Sequence, residues 1–405
     1  MQSSVISSLA YYQAFSKEQQ CGYRKEKGSK RIRAMIVKNV ATCLQQEVLR
    51  QNLCVGCGAC LGNCPYLRMY KGKVVLLDQC NLCQGQCYEH CPRTHLDLDG
   101  ISQKIFGLPY GSDEIGMVTH VFMARSTDAA VKVKAQYGGT VTALICFALD
   151  EGFIDTAVLT LSEDKSSPEG ILVSTKEGVL NCAGSSYLGT PTLEAFNRGT
   201  QDDNRRKIGV VGTPCQVQAL AKMRTSTLDN RNNVDKLNLV IGLFCTWALA
   251  PDKFIPFLRN KVRLQDIIKL DIPPPPANVF EIYTSSQRLS VPLDEIRGFI
   301  MPSCAYCIDM TAEFSDISVG ATEGISGWNT VIVRSGKGSD LVKAAEAKGI
   351  IEVDALPSEN LKHLKEASLL KKRRAIQNII EKTGDADDLL YLKVPPKVTK
   401  QLLVK

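Results

Sequence analysis

The sequence predicts a large α/β domain with a mixed sheet, preceded by a small, cysteine-rich α+β module. From about residue 120, short apolar runs typical of buried strands alternate with amphipathic helical segments. Between Cys54 and Cys91, eight cysteines fall in two compact runs. We therefore divide the chain into a basic extension (residues 1–45), the cysteine-rich module (46–110), the α/β domain (118–335) and a C-terminal helical segment with its tail (336–405).

The composition is that of a globular protein. The 405 residues are 44% hydrophobic and 22% charged, and the chain is long enough for two or three domains. No apolar run reaches the roughly 18 residues that a membrane span needs. Residues 1–10 also lack the positively charged leader of a signal peptide, so we expect a cytoplasmic protein.

The net charge of +7 is concentrated in two basic segments, Lys17–Arg33 and Lys365–Lys382. Both are compatible with an acidic partner or with peripheral membrane association. A charged helix face is most often simply solvated, however, and we expect that for both segments. No nucleic-acid motif accompanies them, so we expect no nucleic-acid partner. The weak apolar periodicity of residues 1–45 favours a docking segment.

The chain has 16 cysteines, which in a reducing compartment favour metal ligation over disulfides. In "CVGCGACLGNCP", the cysteines have the spacing of bacterial two-cluster ferredoxins, and "CNLCQGQCYEHCP" repeats it with one extra residue. In such a module the fourth cysteine of each run crosses to the other cluster. We therefore predict two [4Fe–4S] clusters, the first held by Cys54, Cys57, Cys60 and Cys91, and the second by Cys80, Cys83, Cys87 and Cys64.

Two details of these runs bear on the prediction. Gly56 and Gly58 allow the backbone to pass close to a cluster without a Cβ clash. Zinc knuckles are the alternative, but no histidine stands at a ligand spacing. We expect His90 and His95, which flank the last ligand, to lie at the surface.

The α/β domain is read from its strand and helix patterns in order. Strands are predicted at "VFMARS" and "DTAVLTL", with the helix "TVTALICFALDEG" between them. "RKIGVVGTPCQVQALAKM" reads as a buried strand, a turn and a helix that starts near Cys215. "KLNLVIGLFC" is a further buried strand that ends near Cys245, and "SDISVGATEGISGWNTVIVRS" reads as two strands around a glycine-rich loop.

Four cysteines in this domain suggest a third metal site. Cys215 and Cys245 each follow a buried strand, and ligands of α/β sheets collect at the carboxyl ends of strands. A loop that carries Cys304 and Cys307 can complete a set of four, which is what a third [4Fe–4S] cluster needs. The Cys304–Cys307 pair is also compatible with a redox dithiol, and distant cysteines are also compatible with core positions. We expect Cys146 to be a core residue.

From residue 120 to about 382, the sequence resembles the family of beta subunits of coenzyme F420-reducing hydrogenases and F420H2 dehydrogenases. The matching motifs are "ARSTD", "GGTVTALICFALDEGFID", "GTPCQVQAL", "GLFC", "CAYCIDMTAEFSDISVG" and "GWNTVIVR". The resemblance implies a [4Fe–4S] cluster on the same four cysteines, a bound FAD and coenzyme F420 as the hydride partner. With its ferredoxin-like module, the chain also looks like the F420H2 dehydrogenase input subunit and the N-terminal half of the F420-dependent sulfite reductase.

A flavin has the chemistry that such a chain needs, because it accepts a hydride pair and releases single electrons. Flavin phosphates bind at glycine-rich turns and helix N-termini, which predicts contacts in four loops rich in small or hydroxyl residues. The candidate residues are Gly138, Gly139, Thr140, Thr142, Ser185, Ser186, Tyr187, Thr213, Pro214, Gln216, Gly327 and Trp328. A core position is the alternative role for Trp328.

The sequence departs from the family at Ser185-Ser186-Tyr187, where many members have a lysine in the middle position. That lysine is a cation available to an anionic tail or a phosphate. We predict an electron-transfer oxidoreductase that links F420, through FAD and three clusters, to a partner subunit or ferredoxin. Two alternatives stay open: a ferredoxin-dependent reductase of an organic substrate, with Asp309 or Glu313 as proton donor, and an electron-relay subunit that uses no F420.

Overall fold

A computed structural model describes residues 39–403, except Gln79, Ser112 and the segments 163–166, 229–233 and 274–276. The basic segment Lys17–Arg33, and with it most of the predicted extension, lies outside the described residues. Within the described part of the chain, no helix is both long and apolar enough to cross a membrane.

The fold is mixed α/β, as the sequence predicts. The strands are β1 (Leu67–Tyr70), β2 (Lys73–Leu76), β3 (Leu96–Asp97), β4 (His120–Ser126), β5 (Thr156–Leu161), β6 (Glu169–Val173), β7 (Ile208–Gly212), β8 (Leu237–Leu243), β9 (Ile267–Asp271), β10 (Val279–Thr284), β11 (Arg288–Pro292), β12 (Ile317–Ala321), β13 (Asn329–Val333), β14 (Ile351–Asp354) and β15 (Leu392–Lys393).

The α-helices are α1 (Val40–Leu44), α2 (Gln86–Glu89), α3 (Leu98–Phe106), α4 (Ala129–Lys134), α5 (Thr140–Asp150), α6 (Lys176–Asn181), α7 (Thr192–Thr200), α8 (Pro214–Thr225), α9 (Pro251–Lys261), α10 (Leu293–Arg297), α11 (Gly336–Ala347), α12 (Ser358–Thr383) and α13 (Pro396–Leu403). A π-helical turn spans Gln45–Leu49, and a 3₁₀ helix spans Pro302–Tyr306.

The centre of the molecule is an eight-stranded mixed sheet in the order β14-β4-β13-β12-β8-β7-β5-β6. Its central strands β12, β8, β7 and β5 pair in parallel, and the outer pairings are antiparallel. These four strands are apolar along most of their length and largely buried, as expected for parallel strands that are covered on both faces. The strands and helices predicted for this domain are confirmed.

A second layer comes from the three-stranded antiparallel sheet β11-β10-β9 with α9 and α10. It has an aromatic core of its own, in which the Phe254 ring meets the Phe280 ring edge-on with centroids 5.3 Å apart. Leu188 and Leu249, which belong to the connections of the main domain, are part of this core. The small sheet is therefore joined to the main domain through packed apolar side chains.

The cysteine-rich module docks against α7 of the main domain. It contains α1, the π-helical turn, the β1–β2 hairpin and α2, which pack around a small apolar core. The Leu193 N–H donates to Cys57 O at 3.0 Å, and the Asn197 amide donates to Leu61 O at 2.6 Å. Gly58 has a φ of +86°, and a Cβ at this position would lie 2.5 Å from Pro191 O. The glycine is therefore required by the close approach of α7, as well as by the turn.

The C-terminal segment returns to both parts of the molecule. Strand β14 pairs with β4 at the edge of the main sheet, and β15 pairs in parallel with β3 next to the cysteine-rich module. The helix α12 buries Ala375, Ile376 and Ile379 in the core that surrounds α8. Residues 336–403 are thus an integral part of the fold.

Candidate functional site

Four of the predicted ligands, Cys54, Cys57, Cys60 and Cys91, lie together; we call them the first thiol group. Burial raises the pKa of the Cys57 and Cys60 thiols well above the usual value, and the neighbouring Cys54 and Cys91 thiols add to the effect. All four line one small cavity under the cysteine loop. Cys91 comes from the second run of cysteines, so the structure brings the end of that run to the first.

The second thiol group consists of Cys64, Cys80, Cys83 and Cys87. Burial, followed by the charges of Cys64, Cys80 and Cys91, raises the pKa of Cys87 to about 12. Cys64, the last cysteine of the first run, therefore lies with the second run. Cys83 is exposed and takes part in a disulfide, so its thiolate becomes available to a cluster only after reduction.

The third thiol group consists of Cys215, Cys245, Cys304 and Cys307. Cys215 is in the first turn of α8, three residues after β7, and Cys245 follows the neighbouring parallel strand β8 by two residues. The sheet topology places both at one edge, because the carboxyl ends of parallel strands meet there.

The 3₁₀ helix Pro302–Tyr306 brings the other two cysteines of the third group. The Ala248 N–H donates to Cys304 Sγ at 3.4 Å, which joins this helix to the loop after β8. Burial and the charges of the other three thiols influence the pKa of Cys245, which is raised. The sequence argument about strand ends therefore places these cysteines correctly.

Two buried cations border the third thiol group, and the sequence analysis missed both. Lys371 Nζ donates to Cys245 O at 2.6 Å and to Asp309 O at 2.8 Å. Arg93 enters from the cysteine-rich module, and only 2% of its surface is exposed. Burial would raise the pKa of Cys307, but the charges of Lys371 and Arg93 lower it.

The prediction that Lys365–Lys382 is a solvated charged face is wrong for Lys371 and Lys372. Both side chains are buried on the same face of α12 as Ser368 and Ala375. Lys372 Nζ lies 2.6 Å from Glu313 Oε1, and the Tyr110 hydroxyl donates to Glu313 Oε2 at 2.7 Å. The available signal was the helical spacing, which puts both lysines on the apolar stripe of the helix.

The three thiol groups are contiguous. The charge of Cys91, in the first group, acts on Cys87 in the second, and the charge of Cys215, in the third group, acts on Cys57 in the first. The first group therefore lies between the other two, and it connects the cysteine-rich module to the edge of the main sheet.

The donor chemistry of these groups fits iron–sulfur clusters. Among the described residues, no three His, Cys, Asp or Glu side chains converge closely enough to hold a single metal ion. A cubane keeps its four thiolates further apart than the ligands of one ion are. Thiolate ligands, apolar surroundings and N–H groups directed at sulfur, such as that of Ala248, are the environment that such clusters take in proteins.

The start of α5 is the best-formed of the predicted flavin contacts. Gly139 has a φ of +73° and gives the helix no side-chain cap, so first-turn N–H groups remain for a ligand. The buried Thr140 does not contribute its hydroxyl, which donates to Ala124 O at 2.9 Å. A Cβ at Gly138 would lie 2.7 Å from Asn329 Oδ1, so this glycine is required for packing. Thr142 is half-buried in the first turn of the helix.

Two other predicted loops lie beside this helix start. Asn329 Oδ1 accepts from the Thr140 N–H at 3.2 Å, and Asn329 directly follows Gly327 and Trp328. Arg125 lies over the Trp328 ring at 4.4 Å from its centroid, and the ring is half-buried, so Trp328 is not a core residue. On the other side, the Gln136 amide donates to Tyr187 Oη at 3.4 Å.

Ser185 and Ser186 precede Tyr187 in a half-buried stretch of chain. Tyr187 has a φ of +58°, and its hydroxyl accepts from the Ile272 N–H at 3.2 Å. Asp271 accepts from Gln136 Nε2 at 2.7 Å, which fixes the loop that leads into α5. These serines and the tyrosine therefore lie next to the second layer of the molecule, near the approach to α5.

The predicted contacts Thr213, Pro214 and Gln216 have structural roles at the start of α8. Thr213 and Gln216 form a capping box, in which the Thr213 N–H donates to Gln216 Oε1 at 2.8 Å. The Gln216 amide donates to Thr190 O at 3.0 Å, and Pro214 is the first helical residue. Their polar side-chain groups are therefore engaged within the protein.

Three further sequence predictions are decided by burial. His90 is 1% exposed, so the prediction that it lies at the surface is wrong, whereas His95 is exposed as predicted. Cys146 is buried in the core around α5, as predicted. Asp309 and Glu313 are buried, and Asp309 accepts from the Glu313 N–H at 3.0 Å, so neither is placed as a proton donor to a substrate.

Two models of one protein family match the chain. For the coenzyme F420 hydrogenase/dehydrogenase beta subunit, the N-terminal model matches residues 121–197 and the C-terminal model matches residues 205–359. Together they span the main sheet from β4 to β14 and include all four cysteines of the third thiol group. The cysteine-rich module lies outside both matches.

Individual relatives agree with these matches. The beta subunit of the coenzyme F420 hydrogenase of Methanothermobacter thermautotrophicus is 31% identical over 272 residues, which is 65% of this chain and 95% of the relative. A subunit of the F(420)H(2) dehydrogenase of Methanosarcina mazei is 30% identical over 308 residues, 71% of this chain and 81% of the relative.

A solved structure shares the fold. A chain of the F420-reducing [NiFe] hydrogenase complex from Methanosarcina barkeri superposes with a TM-score of 0.63 at 28% identity, covering 68% of this chain and 96% of that chain. The matched length, the identity and the shared sheet lead to one conclusion. The chain belongs to the family of coenzyme F420 hydrogenase/dehydrogenase beta subunits.

Proposed function

We propose that this protein is an iron–sulfur flavoprotein subunit that moves electrons between reduced coenzyme F420 and a partner subunit or ferredoxin. Its cofactors in this proposal are FAD and three [4Fe–4S] clusters, one on each thiol group. The contiguity of the three groups is the observation that carries the proposal. A chain of neighbouring cluster sites, from the main sheet into a ferredoxin-like module, is the arrangement that stepwise electron transfer needs.

The chain's own residues determine where each cofactor binds. The N–H groups at the start of α5, next to Gly138 and Gly139, suit a flavin phosphate, and Trp328 lies beside them. When bound, the flavin takes up a hydride pair and gives single electrons, which is chemistry that no side chain supplies. The third thiol group lies at the same edge of the sheet, so flavin and cluster are expected to be neighbours.

Around the third thiol group, the protein supplies positive charge and excludes water. Lys371 and Arg93 are both buried, and their charges favour the thiolate over the thiol. The family relatives supply the choice of F420 as donor, since the similar proteins are named as F420 hydrogenase and F420H2 dehydrogenase subunits. The burial of Asp309 and Glu313 speaks against a reductase that protonates an organic substrate at these carboxyls.

The test begins with protein purified under anaerobic conditions. We expect about twelve irons per chain, four for each cluster, and release of FAD on denaturation. F420H2, NADH and reduced ferredoxin are then added separately while flavin absorbance is followed. Bleaching by F420H2 alone supports the proposal. Bleaching by ferredoxin but not by F420H2 favours the alternative of a ferredoxin-linked reductase or relay, and fewer than about eight irons contradicts the three-cluster assignment.

Cysteine variants test the three groups separately. Cys215→Ser is expected to remove the signal of the third cluster and leave the other two. Because the runs cross, Cys64→Ser is expected to affect the second cluster and Cys91→Ser the first. Cys146→Ser is the matched control, since Cys146 lies in the apolar core and is expected to keep all iron.

A further inference from the structure

Arg93 lies between the first and third thiol groups and belongs to neither. It follows Cys91 and Pro92 in the cysteine-rich module, but its side chain reaches into the main domain. There its Nη1 donates to Tyr391 Oη at 2.6 Å and lies 3.4 Å from Gln218 Oε1. Gln218 is on α8, the helix that carries Cys215 in its first turn. The guanidinium is therefore positioned by the main domain while its backbone belongs to the module.

Tyr391 connects Arg93 to the other half of the third group. Its hydroxyl donates to Tyr306 O at 2.7 Å, and Tyr306 lies between Cys304 and Cys307 in the sequence. The guanidinium carbon also lies over the Tyr391 ring, 4.7 Å from the centroid. This packing fixes the plane of the guanidinium and leaves its other N–H groups directed elsewhere.

The remaining donors of Arg93 are unused within the described protein. Its Nε and Nη2 are fully buried and make no hydrogen bond to any described residue. Nor does Arg93 form an ion pair with a carboxylate anywhere in the described part of the chain. A buried cation without a carboxylate is strongly disfavoured unless another anion lies close to it.

The thiols supply that anion. The charge of Arg93 acts on Cys54 and Cys91 in the first group, and on Cys215, Cys304 and Cys307 in the third. Two other buried cations act on one group each: Lys222 on Cys91, and Lys371 on the third group. Arg93 thus differs from both in acting on two groups.

We propose that Arg93 is the shared counter-ion of the first and third thiol groups, and that it raises the reduction potential of the [4Fe–4S] cluster on each. The inference rests on the proposed function. Reduction adds one electron to a cluster that is already anionic, so a fixed positive charge in low dielectric favours the reduced form. Because one cation serves both sites, it keeps their potentials close together, which allows electrons to pass in either direction.

The experiment is a redox titration of the full-length, iron-loaded protein, followed by electron paramagnetic resonance. In Arg93→Gln, we expect the reduction equilibrium constants of both clusters to fall by tenfold or more, which is at least about 59 mV for a one-electron couple. Lys371→Gln is expected to lower the third potential alone, and Lys222→Gln the first alone. If Arg93→Gln retains its iron and moves neither potential, or only one, the proposal is overturned.

Loss of iron in Arg93→Gln is also decisive, when it is compared with Arg93→Lys. If the lysine variant keeps the iron that the glutamine variant loses, positive charge is what the site needs, and the proposal stands. If both variants lose iron equally while circular dichroism shows an intact fold, the role of Arg93 is one of shape, and the proposal fails. A wild-type protein without three clusters would instead contradict the proposed function itself.

Discussion

The contact between the cysteine-rich module and α7 depends on one buried amide. Asn197 is fully buried, and its Nδ2 lies 2.6 Å from Leu61 O, 3.1 Å from Ala59 O and 3.5 Å from Gly58 O. The amide has two N–H groups, so the two shorter contacts are the effective hydrogen bonds. In Asn197→Ala, both carbonyl oxygens lose their donor in a site that water does not reach.

The size of the effect follows from that geometry. A buried acceptor left without a donor costs about 1–3 kcal/mol, so two of them predict a loss of roughly 2–4 kcal/mol in the free energy of unfolding. Asn197→Asp is expected to cost more, because it places an acceptor against carbonyl oxygens. Gln201 is the matched control: it lies at the end of the same helix and donates to Asn63 Oδ1 at 2.9 Å, but it is exposed.

Urea unfolding of the iron-loaded protein measures these differences, with far-ultraviolet circular dichroism and visible cluster absorbance as two probes. Gln201→Ala is expected to lose less than about 0.5 kcal/mol. If the module unfolds before the main domain, the transition seen by cluster absorbance shifts first. An Asn197→Ala protein that is no less stable than Gln201→Ala by both probes would refute the reasoning about this contact.

Three further predictions concern stability. Lys372→Met leaves the buried Glu313 carboxylate unpaired and is expected to cost about 3–5 kcal/mol in urea unfolding, most of which a Lys372→Met, Glu313→Leu double variant should recover. Gly58→Ala should be more destabilising than Asn197→Ala in the same assay, because its Cβ would meet Pro191 O at 2.5 Å. Burial would raise the pKa of Asp97, but Lys393 and a backbone N–H lower it, so the stability advantage of wild type over Asp97→Asn should be present above about pH 4 and shrink below it.

The main domain was predictable because its signals are local. Apolar strands, turns and helices follow one another in the sequence, and parallel strands necessarily end at a common edge of the sheet. Cys215 and Cys245 could therefore be placed together without any knowledge of the distance between them. The flavin loop at Gly138 and Gly139 was found for the same reason, since a glycine pair before an apolar helix is a local pattern.

The buried cations were not predictable in this way. Lys371 and Lys372 belong to a run of basic residues, and such a run normally indicates a solvated face. Their burial is decided by anions and carbonyl groups on other elements, such as Glu313 and Cys245 O, which no window around α12 contains. Arg93 is similar, because its partners lie more than a hundred residues away in the sequence.

The docking contacts also show how stability and electron transfer are linked in this protein. The module is attached through the backbone of its own cysteine loop, since Cys57 O, Gly58 and Ala59 O all contact α7 or its N-cap. That loop is the part of the module whose thiol charge acts on Cys215. The hydrogen bonds that hold the two parts together therefore also fix the separation of the first and third thiol groups. A contact elsewhere on the module would stabilise it equally well but would leave that separation free to vary.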